Sequence, residues 1–405
     1  MSDNAAATPR ALRTIISIVG RRNAGKSSLI NALCGQEIAI VSDQAGTTTD
    51  AVAKPYELLP LGPVTFYDTA GLDDEGSLGK QRIKATRKVL FRSDIALMVI
   101  GADGLQDTDK QIIEELQKLN IPFAAVFNKT DIYSPCAEDI QWLKHRDIAF
   151  TNVSAQTGSN IEEVKKLIIS LAPAELKKDT LLAGDLFKPQ DIIVLVVPID
   201  FSAPKGRLIL PQVQVLREAL DCSAKAIVVK DSELAEILQE LKRRPTLIIT
   251  DSQAIMKVAP IVPQDIPLTT FSILFARNKG DLDILYQGAS TIDQLADGDK
   301  VLIAEACSHH SLSDDIGKVK LPNWLKKYTG KDLQFSFCQG SDFPDDLEQY
   351  KLVIHCGACM LNRMEMLRRL HECIRRGVPI TNYGIAISKT QGVLERTIKP
   401  LLPNA

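Results

Sequence analysis

Short apolar runs alternate with amphipathic stretches through the first part of the chain. Most of the runs are followed directly by Gly, Asp, Asn or Ser, and the stretches between them carry apolar residues at helical spacing. This alternation predicts an α/β domain with a parallel sheet wrapped by helices. The predicted strands are residues 14–19, 64–67, 95–100, 123–127 and 148–153, and the predicted helices are residues 26–33, 81–91, 110–119 and 161–171.

The same alternation returns twice on a smaller scale after a segment that mixes Pro, Lys, Asp and Gly. We therefore expect one larger α/β domain, at residues 1–172, followed by a linker at 173–190 and two smaller α/β domains at 191–267 and 268–405. The predicted strands of the second and third domains are residues 192–197, 226–229, 246–249, 301–306, 333–337, 352–354 and 380–387. The predicted helices are residues 212–220, 232–242 and 361–376.

A phosphate-binding loop lies between the first predicted strand and helix. Residues 20–27 read GRRNAGKS and match the pattern GxxxxGK[ST] in the structural context that this motif requires. Gly20 and Gly25 allow the backbone to close around phosphate oxygens, Lys26 adds a positive charge, and the Ser27 hydroxyl is a Mg2+ ligand. The other residues of this loop predicted to contact the nucleotide are Asn23, Ala24 and Ser28.

Further motifs follow later strands of the predicted sheet. Residues 68–71 read DTAG, where the Asp68 carboxylate can hold the magnesium shell and the Gly71 amide can meet the γ-phosphate. Residues 128–131 read NKTD, and a carboxylate such as that of Asp131 accepts hydrogen bonds from guanine that adenine cannot donate. The predicted base contacts are Asn128, Lys129, Asp131, Ser154 and Ala155.

Residues 44–50, QAGTTTD, supply the first switch, with Thr48 as the candidate second hydroxyl on Mg2+ and Thr47 beside it. These motifs together resemble the Era/TrmE-like branch of GTPases, which implies a Ras-like P-loop domain that hydrolyses GTP. The expected catalytic residues are Lys26, Thr48, Asp68 and Gly71.

The resemblance also bears on how the attacking water is positioned and how negative charge is neutralised during GTP hydrolysis. Leu72 stands where Ras-like relatives carry a water-positioning Gln. The family therefore implies that K+, coordinated in part by Asn23, neutralises charge in the transition state. The nearby carboxylates of Asp73, Asp74 and Glu75 are left without an assigned role.

Eight cysteines in 405 residues are too few for a disulfide-rich scaffold, so their spacing matters more than their number. Residues 307–309 read CSH and residues 355–359 read HCGAC, each after a predicted strand, where ligands collect at the edge of an α/β sheet. The candidate metal ligands are Cys307, His309, His355, Cys356 and Cys359. Three thiolates and a histidine suit zinc, and three thiolates with a variable fourth ligand suit a 4Fe-4S cluster, so the residues alone leave both metals open.

An Era/TrmE-like GTPase joined to CxH and HCxxC resembles the FeFe-hydrogenase maturation GTPase family, HydF, over essentially the whole chain. The resemblance implies GTPase, dimerisation and cluster-binding domains in that order. It implies a scaffold or carrier that binds a 4Fe-4S cluster through Cys307, Cys356 and Cys359. His309 and His355 are then candidates for the remaining iron position or for hydrogen bonds that support the ligands.

The family also implies a cargo and partners. The cargo is a two-iron subcluster precursor passed to the apo FeFe-hydrogenase, and the other expected partners are radical-SAM maturases and a second copy of the chain. As a GTPase switch, the first domain would regulate the exchange of these partners.

Charge and hydropathy bear on whether the protein binds nucleic acid or a membrane. Lys and Arg number 48 against 50 Asp and Glu, a net charge of -2, which gives no global attraction to nucleic acid or to an anionic membrane. The chain has no apolar run of membrane-spanning length and a polar start without a signal pattern, so we expect a cytoplasmic protein. The alternative function is an RNA-modification or ribosome-assembly GTPase with a structural zinc site, which the lack of a GXXG loop with flanking basic helices disfavours.

Overall fold

The computed structural model describes residues 8–9, 12–35, 52–69, 90–173, 181–198, 208–306, 315–340, 343–344 and 346–402. The chain divides into two compact units, Met1–Asp179 and Thr180–Ala405. Both units are built from sheets flanked by helices, so the predicted α/β class is confirmed.

The first unit contains a six-stranded sheet in the order β2-β3-β1-β4-β5-β6. β2 runs antiparallel to β3, and the remaining pairs are parallel. The central strands β1 and β4 are buried along their whole length because helices cover both faces of the sheet. The strands are β1 Thr14–Val19, β2 Val52–Leu58, β3 Gly62–Asp68, β4 Ile95–Ile100, β5 Phe123–Phe127 and β6 Phe150–Asn152. The helices are α1 Lys26–Cys34, α2 Asp107–Lys118, α3 Ala137–Lys144 and α4 Ile161–Leu171.

Sequence patterns located β1, β4, β5 and α4 well but missed β2 and α3. β2 carries Lys54, Pro55 and Glu57, which hide a strand at the edge of the sheet from a search for apolar runs. Most of the helix predicted at residues 81–91 lies outside the described residues.

The second unit contains two four-stranded parallel sheets. One has the order β10-β9-β7-β8 and the other β12-β11-β13-β14. The strands are β7 Ile192–Val196, β8 Lys225–Val229, β9 Leu247–Thr250, β10 Leu268–Thr270, β11 Lys300–Glu305, β12 Gln334–Gln339, β13 Leu352–His355 and β14 Ile380–Asn382. The α-helices are α5 Leu210–Asp221, α6 Leu234–Glu240, α7 Ile255–Val258, α8 Phe271–Lys279, α9 Leu282–Ala289, α10 Leu321–Thr329, α11 Arg363–Arg375, α12 Tyr383–Thr390 and α13 Leu394–Ile398. Short 3-10 turns lie at Ser252–Ala254, Ser290–Gln294, Leu347–Gln349 and Lys399–Leu401, and a π-turn at Ile316–Lys320.

The two sheets of this unit share an apolar core. Val194 and Ile248 of the first sheet belong to the same buried cluster as Val301 and Ile354 of the second. β10 pairs with β9 although it lies beyond the boundary expected at residue 267. The two sheets are therefore packed into one unit, and the boundary expected between residues 267 and 268 stays a prediction.

The strand predicted at residues 380–387 is wrong after its first three residues. The chain leaves β14 at Asn382 and enters α12, because the Asn382 side chain accepts a hydrogen bond from the Ile385 amide at 2.9 Å and caps the helix. A short apolar run does not by itself distinguish a strand from a buried helix. No helix in the described part of the chain combines the length and apolar character needed to cross a membrane.

Candidate nucleotide and cysteine sites

The phosphate-binding loop connects β1 to α1 through backbone conformations that favour glycine. Gly20 has φ 145° and Gly25 has φ 90°, and a side chain at Gly20 would collide with the Val99 carbonyl. Asn23 is also left-handed, with φ 61°. This curvature turns the loop around the start of α1, where amide groups and the helix dipole favour an anion.

Lys26 lies inside the curve of this loop. Its ammonium group donates to the Gly20 carbonyl at 2.9 Å and to the Arg21 carbonyl at 2.7 Å, and the residue is only 8% exposed. The charge is thus held where phosphate oxygens are expected.

The predicted magnesium ligands meet at the ends of β3 and the loop. The Ser27 hydroxyl donates to an Asp68 carboxylate oxygen, and Thr69 anchors the DTAG segment by donating to the Ile18 carbonyl at 2.8 Å. A hydroxyl beside a carboxylate is a hard oxygen set that fits Mg2+. Thr47, Thr48, Gly71 and Leu72 lie outside the described residues, as do residues 73–75.

Asn128 joins the phosphate-binding loop to the segments expected to hold the base. Its side-chain amide donates to the Ala24 and Gly25 carbonyls at 3.0 and 3.3 Å, and its carbonyl oxygen accepts from the Lys129 and Ala155 amides at 2.8 and 3.0 Å. Asn128 is buried, so these contacts fix the spacing of three loops.

Asp131 is oriented by a neighbour that the sequence also singled out. The Ser154 hydroxyl donates to the Asp131 carboxylate at 2.6 Å and accepts from the Thr157 amide at 3.2 Å. The predicted nucleotide residues within the described ranges therefore come together at the carboxyl ends of β1, β3, β5 and β6. These residues are Gly20, Asn23, Ala24, Gly25, Lys26, Ser27, Ser28, Asp68, Asn128, Lys129, Asp131, Ser154 and Ala155.

Arg21 is a supporting residue that the motif does not reveal. Its guanidinium contacts Asp103 at 2.9 Å, Asp109 at 3.0 Å and the Gly104 carbonyl at 2.9 Å. These contacts tie the phosphate-binding loop to the start of α2. The partners lie more than 80 positions away along the chain, so no local pattern signals the interaction.

The cysteine loop follows β13, beside the end of β11. The two strands are paired, with Ala304 opposite His355. The Cys356 amide donates to the Ala304 carbonyl at 2.8 Å, and the Ala306 amide donates to the Cys356 sulfur at 3.1 Å. Residue 306 directly precedes Cys307, which lies with His309 in the segment 307–314 outside the described residues.

Burial makes both cysteines of this loop resist ionisation. It raises the pKa of Cys356 to about 11, and it also raises the pKa of Cys359, where the positive charge of Lys279 opposes the effect. Such thiols become thiolates when a metal ion supplies compensating charge.

His355 is fully buried and both of its ring nitrogens have partners. Nδ1 lies 2.9 Å from the Cys356 carbonyl and Nε2 lies 3.0 Å from an Arg369 nitrogen, so Nδ1 donates and Nε2 accepts. Burial, followed by the charge of Arg369, lowers the pKa of His355 to about 3. Of the two roles expected for His355, this arrangement supports hydrogen bonding to the cysteine loop and not coordination of iron.

Two buried cations near the loop were missed by sequence reasoning. Arg369 is 1% exposed, pairs with Glu365 at 3.0 Å and donates to the Gly340 carbonyl at 2.6 Å. Lys279, the last residue of α8, donates to the Ala358 carbonyl at 3.1 Å and to the Leu361 carbonyl, and burial lowers its pKa to about 8. In the sequence, a basic residue in the last turn of a helix looks like an ordinary solvated end.

Within the described ranges, no three His, Cys, Asp or Glu side chains are grouped to hold a metal ion. The described part of the cysteine site comprises Cys356 and Cys359, and the third expected thiolate lies beyond it. Soft sulfur donors accepting backbone N–H bonds beside a buried cation fit an iron-sulfur cluster.

Family models match three consecutive parts of the chain. The model described as hydrogen maturase F dimerization domain matches residues 182–280, and the model described as hydrogen maturase F tetramerization domain matches residues 283–400. A third, described as 50S ribosome-binding GTPase, matches residues 15–129. The chain thus carries a GTPase domain followed by two oligomerization domains.

Curated relatives that are named GTPases match part of the chain. GTPase Der of Wolinella succinogenes is 35% identical over 168 residues, covering 38% of this chain and 35% of Der. The tRNA modification GTPase MnmE of Legionella pneumophila is 37% identical over 158 residues, covering 37% of this chain and 33% of MnmE. The chain thus spans about a third of the length of these relatives. The solved structure of Aquifex aeolicus Era bound to GDP and AlF4- is 22% identical, with a TM-score of 0.35, and covers 53% of this chain and 92% of Era.

The GTPase prediction is confirmed by the matching domain and by relatives that are themselves named GTPases. The two maturase models together cover most of the chain beyond the GTPase domain, as the resemblance to hydrogenase maturation GTPases predicts. The chain belongs to the hydrogen maturase F family, the GTPases of hydrogenase maturation.

Proposed function

We propose that this protein is a GTP-hydrolysing scaffold that holds a 4Fe-4S cluster and delivers a two-iron subcluster precursor to an apo FeFe-hydrogenase. The observation that carries the proposal is the half-buried cysteine loop, in which Cys356 accepts a hydrogen bond from the Ala306 amide next to Cys307. This contact supports convergence of the two cysteine segments on one centre.

Cys307, Cys356 and Cys359 would hold the cluster, with one iron position left for an exchangeable ligand such as His309. A cluster with an exchangeable position supplies an attachment point for the two-iron cargo. The chain's own contribution is to hold Cys356 and Cys359 through β13, its pairing with β11 and the Lys279 contacts, and to shield these two side chains partly from water.

The nucleotide site would bind GTP or GDP with Mg2+ on Ser27 and Thr48, and with K+ coordinated in part by Asn23. The left-handed backbone at Asn23 and the Ser27–Asp68 contact support these roles. Loss of the γ-phosphate reorganises the loops that contact it, so hydrolysis would regulate partner exchange and not cluster chemistry. The partners would be the apo-hydrogenase, radical-SAM maturases and a second copy of the chain.

The test is transfer of hydrogenase activity. Protein produced anaerobically together with the radical-SAM maturases, then purified, should activate apo FeFe-hydrogenase, whereas the Cys359→Ala variant produced in the same way should not. Cys136→Ala is the matched control, because Cys136 is exposed and lies in the GTPase unit. Absence of activation by the unaltered protein, or equal activation by Cys359→Ala, would contradict the proposal.

A second candidate is an RNA-linked GTPase with structural zinc, which the relatedness of the GTPase domain to MnmE favours. Metal analysis separates the two, because this candidate requires stoichiometric zinc and no iron in protein isolated without oxygen.

A further inference from the structure

Lys279 carries a buried charge at the end of α8. It is 3% exposed, and no described carboxylate forms an ion pair with it. Glu365 is buried nearby, but its carboxylate pairs with Arg369 at 3.0 Å. Burying an ammonium group without an ion-pair partner costs free energy of folding. We therefore ask what this lysine contacts and which groups balance its charge.

The contacts of Lys279 converge on the cysteine loop. The ammonium donates to the carbonyls of Ala358 and Leu361, which flank Cys359 on either side, and Ala358 itself has the left-handed φ of 54°. Phe275 covers another side, with its ring centroid 5.3 Å from the ammonium nitrogen. Lys279 thus fixes the turn that presents Cys359.

The ammonium group has little room for water. The cavity bounded by Lys279, Gly280, Cys356 and Asn382 has a volume of about 10 Å³, which is at most the space of one water molecule. Among the described residues, negative charge on the sulfurs of Cys356 and Cys359 would interact favourably with the ammonium, as the Glu365 carboxylate does.

We propose that Lys279 is the positioning and charge-balancing residue of the cluster site, holding the Cys356–Cys359 loop and stabilising the negative charge of a thiolate-bound iron-sulfur cluster. The inference rests on the proposed cluster. Three thiolates outweigh the charge of the iron-sulfur core, and one-electron reduction adds a further negative charge. A fixed cation at this place therefore favours the reduced form and raises the reduction potential.

The test is an EPR-monitored redox titration of anaerobically reconstituted full-length protein, with the rate of iron release to a chelator measured alongside. Lys279→Met removes the charge at similar side-chain length, and Lys279→Arg restores it. Lys389→Met is the matched control, because it removes an ion pair with Asp293 from the same unit without touching the cysteine loop.

We expect Lys279→Met to shift the cluster potential to more negative values and to release iron faster. Lys279→Arg should recover at least part of both changes, and Lys389→Met should match the unaltered protein. Loss of the cluster in Lys279→Met with retention in Lys279→Arg would also support the inference. An unshifted potential in Lys279→Met, or equal loss of the cluster in both variants, would overturn it. If the unaltered protein binds no iron, the proposed function itself fails.

Discussion

The nucleotide site and the cysteine site hold negative charge in two different ways. At the nucleotide site, backbone amides around Gly20 and Gly25 and one lysine face an open loop, and the polar groups hydrogen-bond to one another and to the backbone. At the cysteine site, the side chains of Cys356 and Cys359 are half-buried, and the cations Lys279 and Arg369 are buried beside them. The nucleotide site suits a ligand that binds and dissociates, and the cysteine site suits a metal centre that remains bound.

This difference predicts that the two sites fail independently, and the largest effect is expected from Lys26→Ala. The substitution removes the ammonium that would meet the phosphates, and two charge-assisted hydrogen bonds are worth about 3–6 kcal/mol together. Nucleotide affinity should fall by roughly 100-fold or more. Equilibrium binding of a fluorescent GTP analogue measures this loss.

Iron content is the control for Lys26→Ala. It should equal that of the unaltered protein, because Lys26 belongs to the first compact unit and the cysteine loop to the second. Parallel loss of iron would show that the sites are not independent.

The buried ion pair of the cysteine site gives the next largest effect. Arg369→Met removes the ion pair with the buried Glu365 carboxylate and the hydrogen bond to His355. Breaking such a pair costs about 3–5 kcal/mol in free energy of unfolding. Urea denaturation of the apo protein, followed by circular dichroism, measures the change.

Arg375→Met is the matched control on the same helix. Arg375 pairs with Glu372 at the surface, so its removal should leave the unfolding midpoint unchanged. Equal destabilisation by both variants would mean that the buried Arg369–Glu365 pair contributes no more to the free energy of unfolding than a surface pair.

The smallest effect concerns the cation at the nucleotide site. If K+ beside Asn23 neutralises transition-state charge, GTP turnover should be about tenfold faster in K+ than in Na+, a difference of about 1.4 kcal/mol in activation free energy. Phosphate release at equal ionic strength measures the ratio. In Asn23→Ala the ratio of the rate in K+ to the rate in Na+ should fall towards one. Equal rates in the unaltered protein would contradict a role for K+ in hydrolysis.

The two regions also differ in how far the sequence predicts them. Each nucleotide motif follows its own strand, and parallel strands end at one edge of the sheet, so Lys26, Asp68 and Asp131 could be brought together from local patterns alone. The candidate cysteine ligands were predicted in the same way.

Polar contacts between residues far apart in the sequence leave no such local pattern. Lys279 reaches the Ala358 carbonyl across 79 positions, and Arg21 reaches Asp109 across 88. Residues 380–387 were misread for a related reason, since the side chain of Asn382, and not hydrophobicity, decides where the strand ends. The two candidate roles of His355 were predicted from spacing, whereas its hydrogen bond to Arg369 has no signal in the local sequence.

The most direct test of the central claim is EPR spectroscopy with iron analysis of anaerobically reconstituted, dithionite-reduced protein, comparing the unaltered chain with Cys356→Ala. A reduced 4Fe-4S signal and about four iron atoms per chain are expected in the unaltered protein. Cys356→Ala is expected to lose this signal. A colourless protein that binds zinc, or a signal that persists in Cys356→Ala, would contradict a cluster held by this loop.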